Sequence, residues 1–341
     1  MLKRTLIRRT FLGAAIVVFA FSLSASARAA EPEPVSGFVT SADGTHINYL
    51  DWGGQRPAIV MIHGLGDDPH VFDCIARDLH NRFHVVAYAR RGHGKSDAPL
   101  DRSYDLPTYV ADMLSVFDGL HIEHASLIGW SMGGNEITAF AGAYPSRVDK
   151  LIYLEAGYDW STQDIGQRLL EMMGANEPST KDLRSIDDYA RWWRKTSYGS
   201  GKPWYPAIND YLRDSVQIAR DGTVTPLPTA AVMDKILPSL KSRRDYTRVG
   251  APVLAIYADR FFPDIPADVT YNTKNATFER QMDTFRAMSI ARIEREIPNT
   301  SICQLRDRTH MSIGFEGHQR LSANIRAYLA APGNAHFRCN R

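Results

Sequence analysis

The sequence predicts an α/β fold, with an eight-stranded, mostly parallel sheet, helices on both of its faces and an inserted helical segment. Three observations predict it. Short β-branched runs alternate with amphipathic helical runs along most of the 341 residues, a pattern typical of such sheets. A Gly-x-Ser-x-Gly turn joins one of the strands to a helix. Between residues 157 and 248 the alternation stops and aromatic residues become frequent.

The chain begins with a predicted export signal. Basic side chains precede an apolar stretch from residue 11 to about residue 23, and residues 27–29, Ala-Arg-Ala, offer a small-x-small cleavage site. The Arg-Arg-Thr-Phe-Leu run that begins at Arg8 also fits a twin-arginine signal, although Ile7 stands where Ser or Thr is usual. Sec-type export is the other open interpretation. We expect removal of residues 1–29, a periplasmic or secreted mature chain, and no stable membrane insertion afterwards, because about fifteen apolar residues are few for a membrane span.

The charge of the mature chain argues against a nucleic-acid partner. Residues 1–29 contain five positive charges and no negative one, so their removal takes the formal net charge from +2 to −3. No basic patch interleaved with aromatic residues follows them. The remaining length is typical of one α/β domain with an insertion. We expect no nucleic acid as a partner, and the oligomeric state is left open.

The three cysteines are too few for a disulfide scaffold and lack the spacing of metal ligands. Cys74 lies in an amphipathic run, which indicates a buried apolar position. In an oxidising compartment Cys303 and Cys339 would be able to pair and hold the C-terminal tail, which we state as a hypothesis.

The core elements follow from periodicity and β-branched content. We predict strands at residues 37–41, 46–52, 58–62, 84–89, 125–129, 150–155, 252–258 and 301–306. We predict helices near residues 70–81, 106–120, 133–143, 277–296 and 318–330. The core therefore comprises residues 30–156 and 249–341, and residues 157–248 form a cap or lid. Most aromatic residues of this cap are expected to form its own small core, and some to face the serine turn as an apolar pocket.

The turn at residues 129–133, Gly-Trp-Ser-Met-Gly, carries the predicted chemistry. An apolar run precedes it and a helical pattern follows it. The glycines two positions before and after Ser131 remove Cβ atoms that would clash in so tight a turn. A serine exposed at such a turn, beside a base and backbone amides, is activated as a nucleophile. The motif alone arises by chance, so the flanking strand and helix give it its weight.

A second glycine-rich turn, His63-Gly64-Leu65-Gly66, follows the predicted strand at residues 58–62. We predict that the backbone amides of Leu65 and Met132 form an oxyanion hole, since two preorganised donors stabilise an acyl-transfer transition state by a few kcal/mol. His63 is predicted to hydrogen-bond the loop rather than act as the base. A further turn at residues 91–96 lacks the spacing of a phosphate-binding loop, so we exclude a nucleotide site there.

With these turns in order and a histidine near the end, the chain resembles the α/β-hydrolase family, of the kind with a lid. The resemblance covers residues from about 37 to 330 and includes His63-Gly64, residues 91–96, residues 129–134 and His310. It implies that His310, on the loop after the last strand, takes the proton of the serine nucleophile. A serine in this position separates the chain from the family's haloalkane dehalogenases and epoxide hydrolases, which use an aspartate.

The acidic partner of His310 is where the chain departs from the family pattern. Many relatives end the seventh strand with Gly-x-x-Asp, but the corresponding run here ends in Phe261. A second arrangement in the family takes the acid from the end of the sixth strand, where this chain has Glu155. We predict Glu155 as the acid, with Asp259 as the alternative if the loop after the seventh strand is rebuilt.

Together these residues predict an exported serine hydrolase that cleaves esters or lactones with an apolar moiety through an acyl-enzyme. We expect a small-molecule substrate with an apolar part, no cofactor and no metal. Hydrolysis of a carbon–carbon bond and cofactor-free peroxidase-like activity reuse the same triad and stay open. A ligand-binding protein that has kept the fold and lost turnover stays open as well.

Overall fold

An eight-stranded sheet forms the centre of the protein. The computed structural model describes residues 32–162, 164–333 and 337–339, so the predicted signal peptide, residues 1–29, lies outside the described residues. The strands are β1 (Val35–Thr40), β2 (His46–Asp51), β3 (Ala58–Ile62), β4 (His84–Tyr88), β5 (Ala125–Trp130), β6 (Val148–Leu154), β7 (Val216–Ile218), β8 (Val224–Pro226), β9 (Val253–Arg260) and β10 (Thr300–Thr309). The sheet order is β1-β2-β4-β3-β5-β6-β9-β10, while β7 and β8 form a separate hairpin.

The pairing confirms the predicted, mostly parallel sheet. Only β2 runs antiparallel to its neighbours β1 and β4, and the other neighbouring pairs of the eight-stranded sheet are parallel. The central strands β3 and β5 are buried along their whole length, as expected for parallel strands covered by helices on both faces. The carboxyl ends of β3, β5, β6 and β10 therefore meet at one edge of the sheet.

Nine α-helices occur among the described residues, and they include the five predicted ones. They are α1 (Asp73–Leu79), α2 (Leu106–Gly119), α3 (Gly133–Ala143), α4 (Ile165–Gly174), α5 (Ile186–Trp193), α6 (Ala207–Asp214), α7 (Ala230–Ile236), α8 (Val269–Glu296) and α9 (His318–Ala330). The longest, α8, begins eight residues before its predicted start because the Asp268 side chain caps the amide of Tyr271. No helix of the described ranges is long and apolar enough to cross a membrane.

Residues 157–248, called the cap segment below, connect β6 to β9. They contain α4 to α7 and the β7–β8 hairpin, and their action as a lid stays a prediction. Trp193 stacks on Tyr198 at 5.4 Å between ring centroids and lies 5.4 Å from the ring of Tyr211. All three rings are buried and each also packs against the ring of Phe315, which lies outside the segment. These aromatic residues therefore join one side of the main core and do not form the separate small core that we expected.

The C-terminal tail is held to the last strand. Cys303 of β10 and Cys339 form a disulfide with 5.8 Å between their Cα atoms, and the Phe337 amide donates to the Ser301 hydroxyl at 2.9 Å. The hypothesis of this pairing is confirmed by the structure. Cys74 is buried in α1, as its amphipathic surroundings predict.

Candidate active site

Ser131 occupies a strained turn between β5 and α3. Its φ angle is +53°, a left-handed conformation that a non-glycine residue adopts at a cost and that clusters at functional sites. A Cβ atom at Gly129 would lie 2.7 Å from the carbonyl group of Gly133, which explains why the turn needs a glycine there. The turn leaves Ser131 half-buried at the wall of a cavity.

The two predicted oxyanion donors lie at the same cavity. Leu65 and Met132 both line it with Ser131. Within residues 32–162 and 164–333, neither of their backbone amides donates to a protein acceptor. Because Met132 also precedes the first turn of α3, its amide lies at the positive end of a helix dipole. Both amides are therefore available to a ligand oxygen.

A buried cation holds the loop that carries Leu65. Arg90 donates to the carbonyl of His63 at 2.5 Å and to that of Gly64 at 3.1 Å, and its Nε pairs with Glu136 of α3. The His63 ring accepts from the Arg90 amide at 3.1 Å. Burial, together with the charge of Arg90, lowers the pKa of His63 well below its usual value. His63 is thus a neutral side chain that hydrogen-bonds the loop, as predicted, and it is not a candidate base.

His310 follows β10 directly and is hydrogen-bonded to Glu155. The distance from His310 Nδ1 to Glu155 Oε2 is 2.9 Å, and both side chains are buried. Glu155 lies one residue beyond β6 with a φ angle of +49°, so a second strained turn aims its carboxylate at the imidazole. His310 also lines the cavity that contains Ser131. Ser131 and His310 therefore line the same cavity, and Glu155 is hydrogen-bonded to His310 behind it.

The other oxygen of Glu155 has two donors of its own. Oε1 accepts from the Ala258 amide at 2.7 Å and from the Tyr158 hydroxyl at 3.1 Å. Arg286 of α8 donates through Nε to the Tyr158 hydroxyl at 3.2 Å, so a buried guanidinium supports the hydroxyl. The carboxylate is fixed at both oxygens and oriented towards His310. Tyr158 and Arg286 were not predicted, because a role of this kind has no signal in sequence spacing.

Asp259, the alternative acid, has a different partner. Its two carboxylate oxygens accept from the amides of Asp307 and Arg308, each at 2.9 Å, where β10 departs from regular pairing with β9. Asp259 thus stabilises an irregular turn of the neighbouring strand and does not contact His310. Of the two candidate carboxylates, Glu155 is the one that is hydrogen-bonded to His310.

Phe261 stands where many relatives have the acid, and its ring stacks on His310. The ring centroids are 3.9 Å apart and the planes are 13° from parallel. The amides of Phe261 and Phe262 donate to the half-buried Glu279 of α8 at 2.9 Å, which fixes the loop after β9. On a further side, the Trp130 ring lies 5.6 Å from that of His310. The imidazole is therefore held by apolar rings as well as by Glu155.

The cavity has a volume of about 670 Å³ and a largely apolar lining. The cap segment supplies most of its apolar side chains: Trp160, Leu169, Leu170, Met173, Trp192, Leu237, Pro238 and Leu240. Trp160 and Trp192 confirm the expectation that some aromatic residues of this segment face the serine turn. Grouped His, Cys, Asp or Glu side chains that could hold a metal ion do not occur in the described part of the chain.

One lining residue that the sequence did not single out is Asp67. It follows the predicted oxyanion turn by one residue, is buried, and accepts a hydrogen bond from the Tyr211 hydroxyl of α6 at 2.8 Å. Burial raises its pKa to about 7. The acidic pair Asp67-Asp68 after His63-Gly64-Leu65-Gly66 was the available signal.

Comparison with known proteins finds similarity to one family of enzymes. The sequence model of the alpha/beta hydrolase fold matches residues 57–259. The chain is 36% identical to a non-heme chloroperoxidase of Streptomyces lividans over 129 residues, which cover 35% of this chain and 44% of that protein. It is 28% identical to a bifunctional esterase/perhydrolase of Acinetobacter calcoaceticus over 202 residues, 50% of this chain and 72% of that protein. The first of these matches thus spans less than half of the relative's own length.

Among solved structures, that of E-2-(acetamidomethylene)succinate hydrolase superimposes with a TM-score of 0.68. The superposition covers 87% of this chain and all of the other chain, at 21% sequence identity. At this level of identity the likeness concerns the fold alone.

Proposed function

The chain belongs to the α/β-hydrolase fold family, and we propose that it is a serine hydrolase that cleaves esters or lactones with an apolar moiety. The observation that carries this proposal is the 2.9 Å hydrogen bond between His310 and Glu155 at the cavity that Ser131 lines. A carboxylate that holds one nitrogen of a histidine beside a serine at a strained turn is the arrangement that activates the serine hydroxyl.

In the proposed mechanism Ser131 Oγ attacks the carbonyl carbon while His310 Nε2 takes its proton. Glu155 holds the Nδ1 proton and stabilises the imidazolium that forms. The amides of Leu65 and Met132 donate to the developing oxyanion, which is where preorganised donors contribute most. His310 then protonates the leaving alcohol, and water activated by the same imidazole releases the acid from Ser131.

The lining of the cavity supports an apolar substrate. Side chains of the cap segment such as Leu170 and Trp192 cover much of the wall, and burial of a hydrocarbon chain against them contributes about 25 cal/mol for each Å² removed from water. A volume near 670 Å³ accommodates an ester of drug-like size.

The decisive experiment compares two serines of the same cavity. Ser131→Ala is expected to abolish hydrolysis of p-nitrophenyl esters and covalent labelling by a fluorophosphonate. Ser197, which also lines the cavity, supplies the matched control, since Ser197→Ala removes a hydroxyl without touching the proposed nucleophile. Labelling that persists in Ser131→Ala would refute the mechanism, and so would loss of labelling in Ser197→Ala alone.

Perhydrolysis by the same site is the second candidate. It is favoured by the chloroperoxidase and the esterase/perhydrolase among the relatives, because an acyl-enzyme that reacts with hydrogen peroxide in place of water gives a peracid. Peracid formation from an ester and hydrogen peroxide, measured beside acid release, distinguishes the two activities. Turnover of a diketone without ester hydrolysis would instead favour carbon–carbon bond hydrolysis.

We also propose that the protein is exported. The support is the basic and apolar pattern of residues 1–29 and the disulfide between Cys303 and Cys339, since such bonds persist in oxidising compartments. Fractionation of a bacterial host that expresses the full chain tests the proposal, and replacement of Arg8 and Arg9 by lysine tests the twin-arginine route. Accumulation of the full-length chain in the cytoplasm would contradict export.

A further inference from the structure

Asp67 places a carboxyl group beside the proposed nucleophile that the mechanism above does not use. A Cβ atom added at Gly64 would contact the Asp67 carboxylate on one side and Ser131 Cβ, at 3.2 Å, on the other. The carboxylate and the nucleophile therefore flank the same glycine of the predicted oxyanion turn. A group bound at Asp67 would lie next to the carbonyl that Ser131 attacks.

The two oxygens of Asp67 are in different environments. Oδ1 accepts the hydrogen bond from Tyr211 at 2.8 Å. Oδ2 has no hydrogen-bond partner among the described residues, although Asp67 is 93% buried and lines the cavity. Because Oδ2 is not one of the fully enclosed unpaired polar atoms of the described residues, it is open to the cavity and can accept a hydrogen bond from a ligand.

The charge around the cavity limits what that ligand can be. The other charged side chains of the lining, apart from His310, are Asp164, Asp234 and Lys241, and all three are exposed, so solvent screens them. Asp67 is the buried one, and no basic side chain of the described residues pairs with it. Because the pKa of Asp67 is about 7, the group is ionised at about pH 8.5, where the comparisons below are made. An ionised carboxylate only accepts hydrogen bonds, so it attracts an O–H or N–H donor and repels a substrate anion.

We propose that Asp67 is a specificity-determining residue that binds a hydroxyl or amino group on the carbon next to the scissile carbonyl. The preferred substrates are then 2-hydroxy or 2-amino esters with an apolar chain, and esters with a carboxylate at that carbon are rejected. This inference rests on the proposed function of the same site. Tyr211 is a positioning residue for this group, because its hydroxyl occupies Oδ1 and leaves Oδ2 for the substrate.

The test uses four methyl esters with the same six-carbon chain, which differ only in the group at the second carbon. These are methyl hexanoate, methyl 2-hydroxyhexanoate, methyl 2-aminohexanoate and methyl 2-carboxyhexanoate. The wild-type protein is expected to show a kcat/KM about tenfold or more higher for the hydroxy or amino ester than for methyl hexanoate. The carboxy ester is expected to be the poorest substrate. If kcat/KM rises more for the amino ester than for the hydroxy ester, the group that Asp67 binds is an ammonium. If kcat/KM rises equally for both, that group is a neutral hydrogen-bond donor.

Asp67→Asn keeps the shape of the side chain and replaces one acceptor oxygen by an NH₂ donor. With the Tyr211 hydroxyl still donating to the amide oxygen, the NH₂ group faces the cavity and can only donate. We expect this variant to lose the preference for the hydroxy and amino esters about tenfold and to accept the carboxy ester better. Asp234→Asn, at the exposed rim, is the matched control and is expected to keep the wild-type order. An equal loss for all four esters in Asp67→Asn would overturn the inference, and so would a wild-type protein that does not distinguish them.

A binding measurement separates this inference from the proposed function. Trp160 and Trp192 line the cavity, so their fluorescence reports the binding of hexanamide and 2-hydroxyhexanamide. Tighter binding of the hydroxy amide that disappears in Asp67→Asn supports the inference even if no ester is hydrolysed, in which case the proposed function alone fails. Equal binding of the two amides by the wild type would overturn the inference while leaving ester hydrolysis untouched.

Discussion

Replacement of Glu155 by glutamine tests the proposed triad most directly, because the structure dictates how the new amide must lie. Oε1 of Glu155 accepts from the Ala258 amide at 2.7 Å and from the Tyr158 hydroxyl at 3.1 Å. A glutamine must place its oxygen there, since its NH₂ group would otherwise face the Ala258 N–H donor to donor. The NH₂ group is then directed at His310 Nδ1, which lies 2.9 Å from the present carboxylate oxygen.

This geometry forces the wrong tautomer on the imidazole. An NH₂ group can only donate, so Nδ1 must be unprotonated and the ring proton must lie on Nε2, the nitrogen that has to receive the proton of Ser131. The same tautomer error in another serine hydrolase lowers kcat about 10⁴-fold. We therefore expect Glu155→Gln to lower kcat by about 10³- to 10⁴-fold, or about 4 to 5.5 kcal/mol of activation free energy.

The assay is the kcat for a p-nitrophenyl ester, with Asp259→Asn as the matched control. Asp259 holds the amides of Asp307 and Arg308 at 2.9 Å, so its replacement is expected to lower thermal stability slightly and kcat by no more than a few-fold. Circular dichroism confirms that both variants fold. If Glu155→Gln keeps more than a tenth of the activity, or if Asp259→Asn shows the large loss, the assignment of the acid is wrong.

Three further predictions concern groups around the site and the tail. Tyr158→Phe removes one donor to Glu155 and is expected to lower kcat about three- to tenfold with KM unchanged; a rise in KM alone would contradict a positioning role. Burial raises the pKa of Asp67 in the folded protein to about 7 from its ordinary value of 3.8. Between these two values the folded state binds a proton that the unfolded state does not. The wild type therefore loses unfolding free energy as the pH rises from about 4 to about 7, by up to about 4 kcal/mol at 1.36 kcal/mol per pH unit. The unfolding free energy of Asp67→Asn minus that of the wild type, measured in urea, should therefore increase between pH 5 and pH 8. A difference that stays constant with pH would refute the burial argument. Cys339→Ser opens a loop closed by a disulfide across 36 residues and is expected to cost about 4 kcal/mol of unfolding free energy, with reductant lowering the melting temperature of the wild type only.

The sheet was predictable because its strands are buried on both faces. Residues 58–62 and 125–130 are near-continuous apolar runs with turn signals after them, and such runs indicate parallel strands from the local sequence alone. Ser131 was predictable for a related reason, since it directly follows β5. His310 was predictable from the resemblance to the family, although β10 extends three residues beyond its predicted end. The start of α8 was not, because the cap by Asp268 is a signal that many loops also contain.

The sequence favoured Glu155 as the acid but left Asp259 open, because the two carboxylates lie at the ends of neighbouring parallel strands. What separates them is a local irregularity of β10. Asp307 has a φ angle of +58°, and the turn there directs two amides at Asp259, which satisfies that carboxylate. The residue types in this turn do not predict such a conformation. Which carboxylate contacts His310 therefore depends on the register between β9 and β10 rather than on composition.

Phe261 and Glu155 are best understood as two parts of one arrangement. The Phe261 ring, at the sequence position where many relatives have the acid, fills the space on one face of His310 at a stacking distance of 3.9 Å. With the acid taken from β6 instead, this space is available to an apolar ring, which excludes water from one face of the imidazole. An ion pair in a drier environment is stronger than the same pair in water, so the stacked ring strengthens the hold of Glu155 on His310. The departure from the family pattern at Phe261 therefore agrees with the proposed role of Glu155, and it does not by itself indicate a lost triad.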